Sequence, residues 1–261
     1  LALDPQQHLQ PLWGPEDGLG VLAAVAAALD AEEADLLAFD LMFHDVQGAA
    51  LGGSDDELLV SGRLDDLVSC FVAIEALVAA PATDEVAVVC LYDHEEVGSV
   101  SRTGADGDLL AGVLRRAHAA RGGSADELAR ALAASACVSA DMAHATHPNR
   151  PDRHDPAHPV LLNAGPVVKL NANQRYASDT DSAVPFLVAA EAAGVEVQHF
   201  VSRSDLPCGS TIGPVTAARL GVATVDVGVP QLAMHSARET AGAHDPEALR
   251  RVLAAFLRPS A

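Results

Sequence analysis

The sequence has little positive charge. Its 261 residues carry 16 Lys and Arg against 36 Asp and Glu, a formal net charge of −20. Nucleic acid and anionic membrane surfaces are poor partners for such a chain, because phosphate contacts need a basic surface. Lysine is nearly absent: Lys169 is the only one. Aromatic residues make up 3%, so a core must be packed from Leu, Val and Ala with close backbone approach. The four cysteines, Cys70, Cys90, Cys137 and Cys208, include no C-x-x-C pair. That argues against a thiolate zinc knuckle, a redox dithiol or a disulfide scaffold, and suits a reduced, cytoplasmic compartment. No apolar run is long enough to span a bilayer. The opening LALDPQQHLQ, which starts at Leu1, has neither the basic nor the apolar region of a signal peptide. No G-x-S-x-G elbow supports a serine hydrolase.

Hydrophobic residues make up 49%, enough for one large domain or two small ones. Residues 1–20 read as loop and 19–29 as an alanine-rich helix. Alternation at the centre of 36–47 predicts a strand, and 48–56 is a turn-rich joint. Strands and helices then alternate, the signature of an α/β domain. Leu67, Phe71, Ile74 and Leu77/Val78 repeat at helical spacing, so a helix begins at Asp65 or Asp66. The apolar run 86–92 (VAVVCLY) reads as a buried strand. Helices are expected at 125–134, 181–193, 212–220 and 245–257, and strands at 136–140, 167–170, 195–201 and 222–227. Gly194 and Gly221 stop two of the helices, and Asp245-Pro246 opens the last.

Acidic residues stand just after predicted strands: Asp93, Glu95 and Glu96 after VAVVCLY, Asp141 after ACVSA. Ligand sites of open α/β sheets form at the carboxyl ends of strands. Carboxylates converging there repel one another, and a divalent cation is the usual way to hold them together. His94, His144, His147 and His235 lie beside acid-rich or Gly/Ser-rich loops, and a His-carboxylate set suits Zn²⁺. The pair Glu95-Glu96 allows one carboxylate to hold metal while its neighbour takes a proton from water. Each feature also has a plain structural reading. Asp65 can cap its helix, Asp141 can be a turn residue, and His235 can be a satisfied core histidine.

Five segments carry a more specific signal: SGRLDDLVS at 61–69, YDHEEVGS at 92–99, SADMAHATHPN at 139–149, GPVVKLNANQRYASD at 165–179, and CGSTIGP with DVGVPQLAMHSARE at 208–214 and 226–239. In this order they resemble the aspartyl aminopeptidases, cocatalytic dinuclear metallo-aminopeptidases. The resemblance implies a three-layer α/β/α, phosphorylase/hydrolase-like catalytic domain over 51–261. Residues 1–50 would then be the tail of an inserted β-rich dimerisation domain with its return strand. It assigns Asp65 to the carboxylate bridging two metals, with Asp66 where the family usually has Asn. Glu95 becomes the general base, Glu96 and His235 ligands of one metal, and Asp141 a ligand of the other. His144, Lys169 and Tyr176 match substrate-contacting positions. The implied cofactor is Zn²⁺, two per site, with Mn²⁺ or Co²⁺ as alternatives. The implied substrates are peptides with an N-terminal Asp or Glu, Lys169 facing the acidic side chain. Homo-oligomers built from dimers are the family's assembly.

The sequence departs from the family in lacking an H-x-D-S-P-like motif, whose His completes the metal site containing Asp65 and Asp141. The site of Asp65, Glu96 and His235 is therefore expected to bind metal tightly and the other weakly. The chain is also expected to expose apolar surface. Two functional readings follow: an aminopeptidase for acidic N-termini, and a truncated, catalytically silent member serving as a binding or assembly module.

Overall fold

A computed structural model describes residues 3–258. The chain divides into two compact units, Leu1–Val46 and Gln47–Ala261. In the first, Asp4 caps helix α1 (Pro5–His8) by accepting the Gln6 and Gln7 N–H groups at 2.9 and 3.2 Å. Helix α2 (Val21–Ala28) follows, and a short 3₁₀ turn, Glu33–Asp35, is closed by a reciprocal capping box. The strand expected at 36–47 is absent. Leu37, Phe39, Met42 and Phe43 are all exposed. Alternation alone does not make a strand: the segment forms no ladder and its apolar side chains are covered by no core.

The second unit holds two mixed sheets. One has the order β3-β7-β5-β6, from β3 (Ala136–Ala140), β7 (Ala223–Gly228), β5 (Val167–Leu170) and β6 (Gln198–Val201). β3 runs parallel to β7 and β6 parallel to β5, while β5 is antiparallel to β7. The other sheet has the order β1-β2-β9-β8-β4, from β1 (Ala50–Gly52), β2 (Leu58–Ser61), β9 (Glu239–Gly242), β8 (Pro230–Leu232) and β4 (Ala143–His144). The parallel pair β3/β7 continues directly into the parallel pair β4/β8, so one bend of paired chains joins the sheets.

Side chains alternate across β7, and that period builds the layers. Val225 and Val227 pack with Val168 against helices α3 (Leu64–Ala79), α6 (Thr180–Ala193) and α8 (Asp245–Phe256) in the main core. Asp226 faces the other way, toward the start of helix α7 (Gly213–Leu220): Thr211 donates to it at 2.7 Å, and a Cβ on Gly213 would meet its carboxylate. Helices on both faces of a sheet give the three-layer α/β/α arrangement. Helices α4 (Leu109–Ala120) and α5 (Ala125–Ala133) pack together, α5 opened by a Ser124–Glu127 capping box.

Two further expectations need correction. The segment 86–92 forms no strand. It lies near β3 and α7, through Cys90 and Tyr92 beside Cys137 and Thr216, but makes no ladder with them. Val86, Val88 and Leu91 stay exposed, and although β3 is an edge strand of its sheet, apolar composition beside an edge was not enough to make a strand. In α3 the buried stripe is Leu64, Val68, Val72 and Ala76, while the bulkier Leu67, Phe71, Ile74 and Val78 are exposed. Either stripe has helical spacing, and only packing decides between them. No helix among the described residues is long and apolar enough to cross a membrane.

Candidate metal centre

Four loops and helix starts deliver the acids. Helix α3 becomes regular only after Asp66. Asp65 (φ −82°, ψ 112°) and Asp66 (φ −115°, ψ 28°) lie outside helical geometry, and the peptide between them is cis. Glu95 and Glu96 occupy a 3₁₀ turn, Glu95–Val97. Asp141 follows β3, and His235 lies between β8 and β9.

Asp65, Glu96 and His235 each offer a ligand atom, and these atoms lie within 4.8 Å of one another. The His235 Nε2 stands 3.2 Å from Asp65 Oδ2 and 3.1 Å from Glu96 Oε2. Asp65 is 6% exposed in its side chain, His235 60% and Glu96 54%. The cluster is thus anchored by one buried acid and open to solvent on the other side. Two carboxylates and an imidazole are a donor set that suits zinc. Of the four histidines singled out in the sequence, only His235 joins such a cluster among the described residues.

Glu239 holds two of the three ligands. Its buried carboxylate accepts the Asp65 N–H at 3.0 Å and the His235 N–H at 2.6 Å. His235 has φ +64°, a left-handed conformation that costs a non-glycine residue about 1–2 kcal/mol. The hydrogen bond that the His235 N–H donates to Glu239 offsets part of that cost. Glu239 had no assigned role in the sequence reading, although an acid four residues beyond His235 was visible there.

The other end of the cluster is organised differently. Asp141 accepts the Met142 N–H at 2.8 Å and pairs with Lys169 Nζ at 3.3 Å. Both partners are largely buried, with side chains 13% and 3% exposed. Lys169 also sits 5.7 Å above the centre of the Tyr176 ring. In β5, Lys169 shares a face with Val167, away from Val168 and the main core. Gly228 backs this corner: a Cβ there would fall 2.0 Å from the Asp141 carbonyl oxygen.

Protonation follows this packing. Burial, reinforced by Asp141, pushes Asp65 up to about 9. Burial, with Asp141 and Glu96 adding repulsion, raises half-buried Glu95 to about 7. Asp141 moves the opposite way: burial opposes its ionisation, but Lys169, the Asp65 carboxyl and the Met142 N–H together hold it below the usual range. Tyr176 is buried and, with Cys208 nearby, is pushed well above the usual phenol range, so its hydroxyl remains a donor. His144, in β4, and Tyr176 flank Phe200, with ring centres 6.3 and 6.1 Å away.

Asp226 is a second acid with no role assigned from sequence. It is fully buried and accepts from Ser139 Oγ at 2.6 Å, Thr211 Oγ1 at 2.7 Å and the Ala177 N–H at 2.6 Å. It ties the strand that leads to Asp141 to the loop that carries Tyr176. A lone acid inside the apolar strand VATVDV was its signal, because a buried carboxylate must be satisfied.

Comparison with known proteins places the chain in a zinc metalloprotease family. The family described as aminopeptidase I zinc metalloprotease (M18) matches residues 15–257. A probable M18 family aminopeptidase 2 from Mycobacterium leprae is 51% identical over 98% of this chain and 60% of its own length. The protein of the same description from Streptomyces coelicolor is 47% identical, over 99% of this chain and 62% of its own. The chain thus spans about three fifths of these curated relatives. Among solved structures, yeast aminopeptidase 1 (Ape1) superposes with a TM-score of 0.81 at 32% identity, covering 91% of this chain and 54% of that one. The related mApe1 has been solved as a dodecamer.

Proposed function

The chain belongs to the aminopeptidase I zinc metalloprotease (M18) family, and from that premise we propose that it forms the metal-binding part of an aminopeptidase that releases acidic N-terminal residues from peptides. The observation that carries the proposal is the convergence of Asp65, Glu96 and His235 within 4.8 Å, beside a half-buried Glu95. Those three residues would hold zinc. Bound zinc supplies Lewis acidity that polarises a scissile carbonyl and makes water a better nucleophile.

The protein's own groups divide the remaining work. Glu95, raised to about 7, is poised to take the proton of the attacking water and return it to the leaving amine. Tyr176, kept protonated, can donate to a developing oxyanion. Glu239 fixes the backbone of Asp65 and His235, so the ligands need little rearrangement. Lys169, paired with Asp141 at this corner, is the counter-charge for the side-chain carboxylate of the substrate's N-terminal residue, with His144 beside it. Asp141 would complete a second, weaker metal position shared with Asp65. As in mApe1, the whole protein is proposed to act as a homo-oligomer.

The test is release of Asp from an Asp-Ala peptide with added Zn²⁺, alongside Glu95→Gln. Hydrolysis that depends on zinc and is lost in the variant supports the proposal. Hydrolysis that survives Glu95→Gln defeats the mechanism.

A further inference from the structure

A cavity of about 420 Å³ opens beside Tyr176 and His144. Arg150, Arg153 and Arg203 line it, and no carboxylate does among the described residues. For a chain with 16 basic against 36 acidic residues, three arginines around one recess is a marked concentration. Arg150 pairs with Asp152 at 3.1 Å and Arg203 with Asp205 at 2.7 Å, while Arg153 approaches Asp152 only to 4.0 Å. Exposed pairs of this kind contribute little to stability, so an incoming carboxylate competes for the guanidinium groups readily.

A second observation is independent of charge. Gln231 lines the cavity and is 1% exposed, yet neither amide atom of its side chain has a hydrogen-bond partner. His154 also lines it. The Ala145 backbone holds its ring, and its buried Nδ1 has no partner. Buried polar groups in native proteins are almost always satisfied. Two such orphans in one cavity wall mark a place that polar ligand groups complete.

We propose that this cavity is the subsite for the part of the peptide beyond the scissile bond, and that its arginines select a second carboxylate there. The proposal rests on the aminopeptidase reading and extends its substrate class to peptides bearing two anionic groups. The second is either an acidic side chain at the next residue or a free chain terminus. Lys169, engaged by buried Asp141, is separate from this set.

Calorimetric binding to the metal-free full chain tests the proposal without hydrolysis. The probes are Asp-Ala-Ala-amide, Asp-Ala-Ala with a free terminus, and Asp-Glu-Ala-amide. One or both doubly anionic peptides should bind about tenfold more tightly than the first, and which of them does so identifies the source of the carboxylate. The double variant Arg153→Met/Arg203→Met should reduce the ratio to below about twofold while circular dichroism stays unchanged. Gln231→Leu should weaken the preferred peptide severalfold, and it serves as the second variant if the first folds poorly. Equal binding of all three peptides, no measurable binding, or a ratio that survives the arginine substitutions would overturn the proposal. A preserved ratio in a chain that hydrolyses none of the peptides with zinc would instead defeat the aminopeptidase reading.

Discussion

Asp65 and Asp141 touch each other through a shared hydrogen bond, yet their surroundings treat charge in opposite ways. Asp65 faces Glu96 and the His235 imidazole in a pocket open on its solvent side. Asp141 is enclosed with Lys169. One half of the cluster therefore lacks a cation of its own, while the other carries one covalently. Burial near like charge raises Asp65, and burial beside an ammonium leaves Asp141 ionised. The difference teaches where an external cation gains most: at the trio, where it replaces protons, and less at Asp141, where it must compete with Lys169.

The largest expected effect comes from removing the base that serves the open half. Glu95→Gln should lower peptide hydrolysis about 100- to 10,000-fold, with zinc affinity nearly unchanged; steady-state kinetics and calorimetry separate the two. Next is the enclosed half. Lys169→Met leaves Asp141 buried without its partner and should cost about 3–5 kcal/mol in urea denaturation. Lys169→Met/Asp141→Asn should recover much of that loss, since the unpaired charge is gone. The single variant should also lose more activity on Asp peptides than on Ala peptides.

Between the two halves, Glu239→Ala strips two hydrogen bonds from the backbone of Asp65 and His235. About 10- to 100-fold weaker zinc binding is expected, with Glu239→Gln intermediate, as calorimetry would read. The effect least tied to a single residue is the pH response of the metal-free chain. The folded pKa of Glu95 is raised from 4.5 to about 7 and that of Asp65 from 3.8 to about 9. The folded state therefore holds more protons than the unfolded one across that window. Their stabilisation is complete below about pH 4 and is lost as pH rises through 7 and 9. Thermal midpoints should fall as pH rises from 5 to 9, and saturating Zn²⁺ should flatten the slope.

Much of this cluster was legible before any coordinates. Asp141 stands just past β3, where α/β sheets place ligands, and the string MHSARE marks His235, whereas the strand expected ahead of the Glu95-Glu96 pair does not form. What did not transfer was pairing. The segments 36–47 and 86–92 have strand composition, but a strand needs ladder partners that the sequence pattern does not reveal. The α3 stripes show the same limit, since Leu67 and Phe71 are as helical in spacing as Val68 and Val72. Glu239 and Asp226 escaped notice because their work is done on backbone N–H groups and hydroxyls distant in sequence, and such bonds leave no local motif. The ion pair of Lys169 with Asp141 joins residues 28 positions apart and became visible only in three dimensions.

Asp65, Glu96 and His235 are proposed as the place where this chain takes up zinc. Calorimetric titration of the metal-free protein with Zn²⁺ at neutral pH tests it most directly, alongside His235→Ala and Asp141→Asn. One tight site is expected, abolished in His235→Ala and retained in Asp141→Asn. Two equally tight sites, or a tight site indifferent to His235, would contradict it.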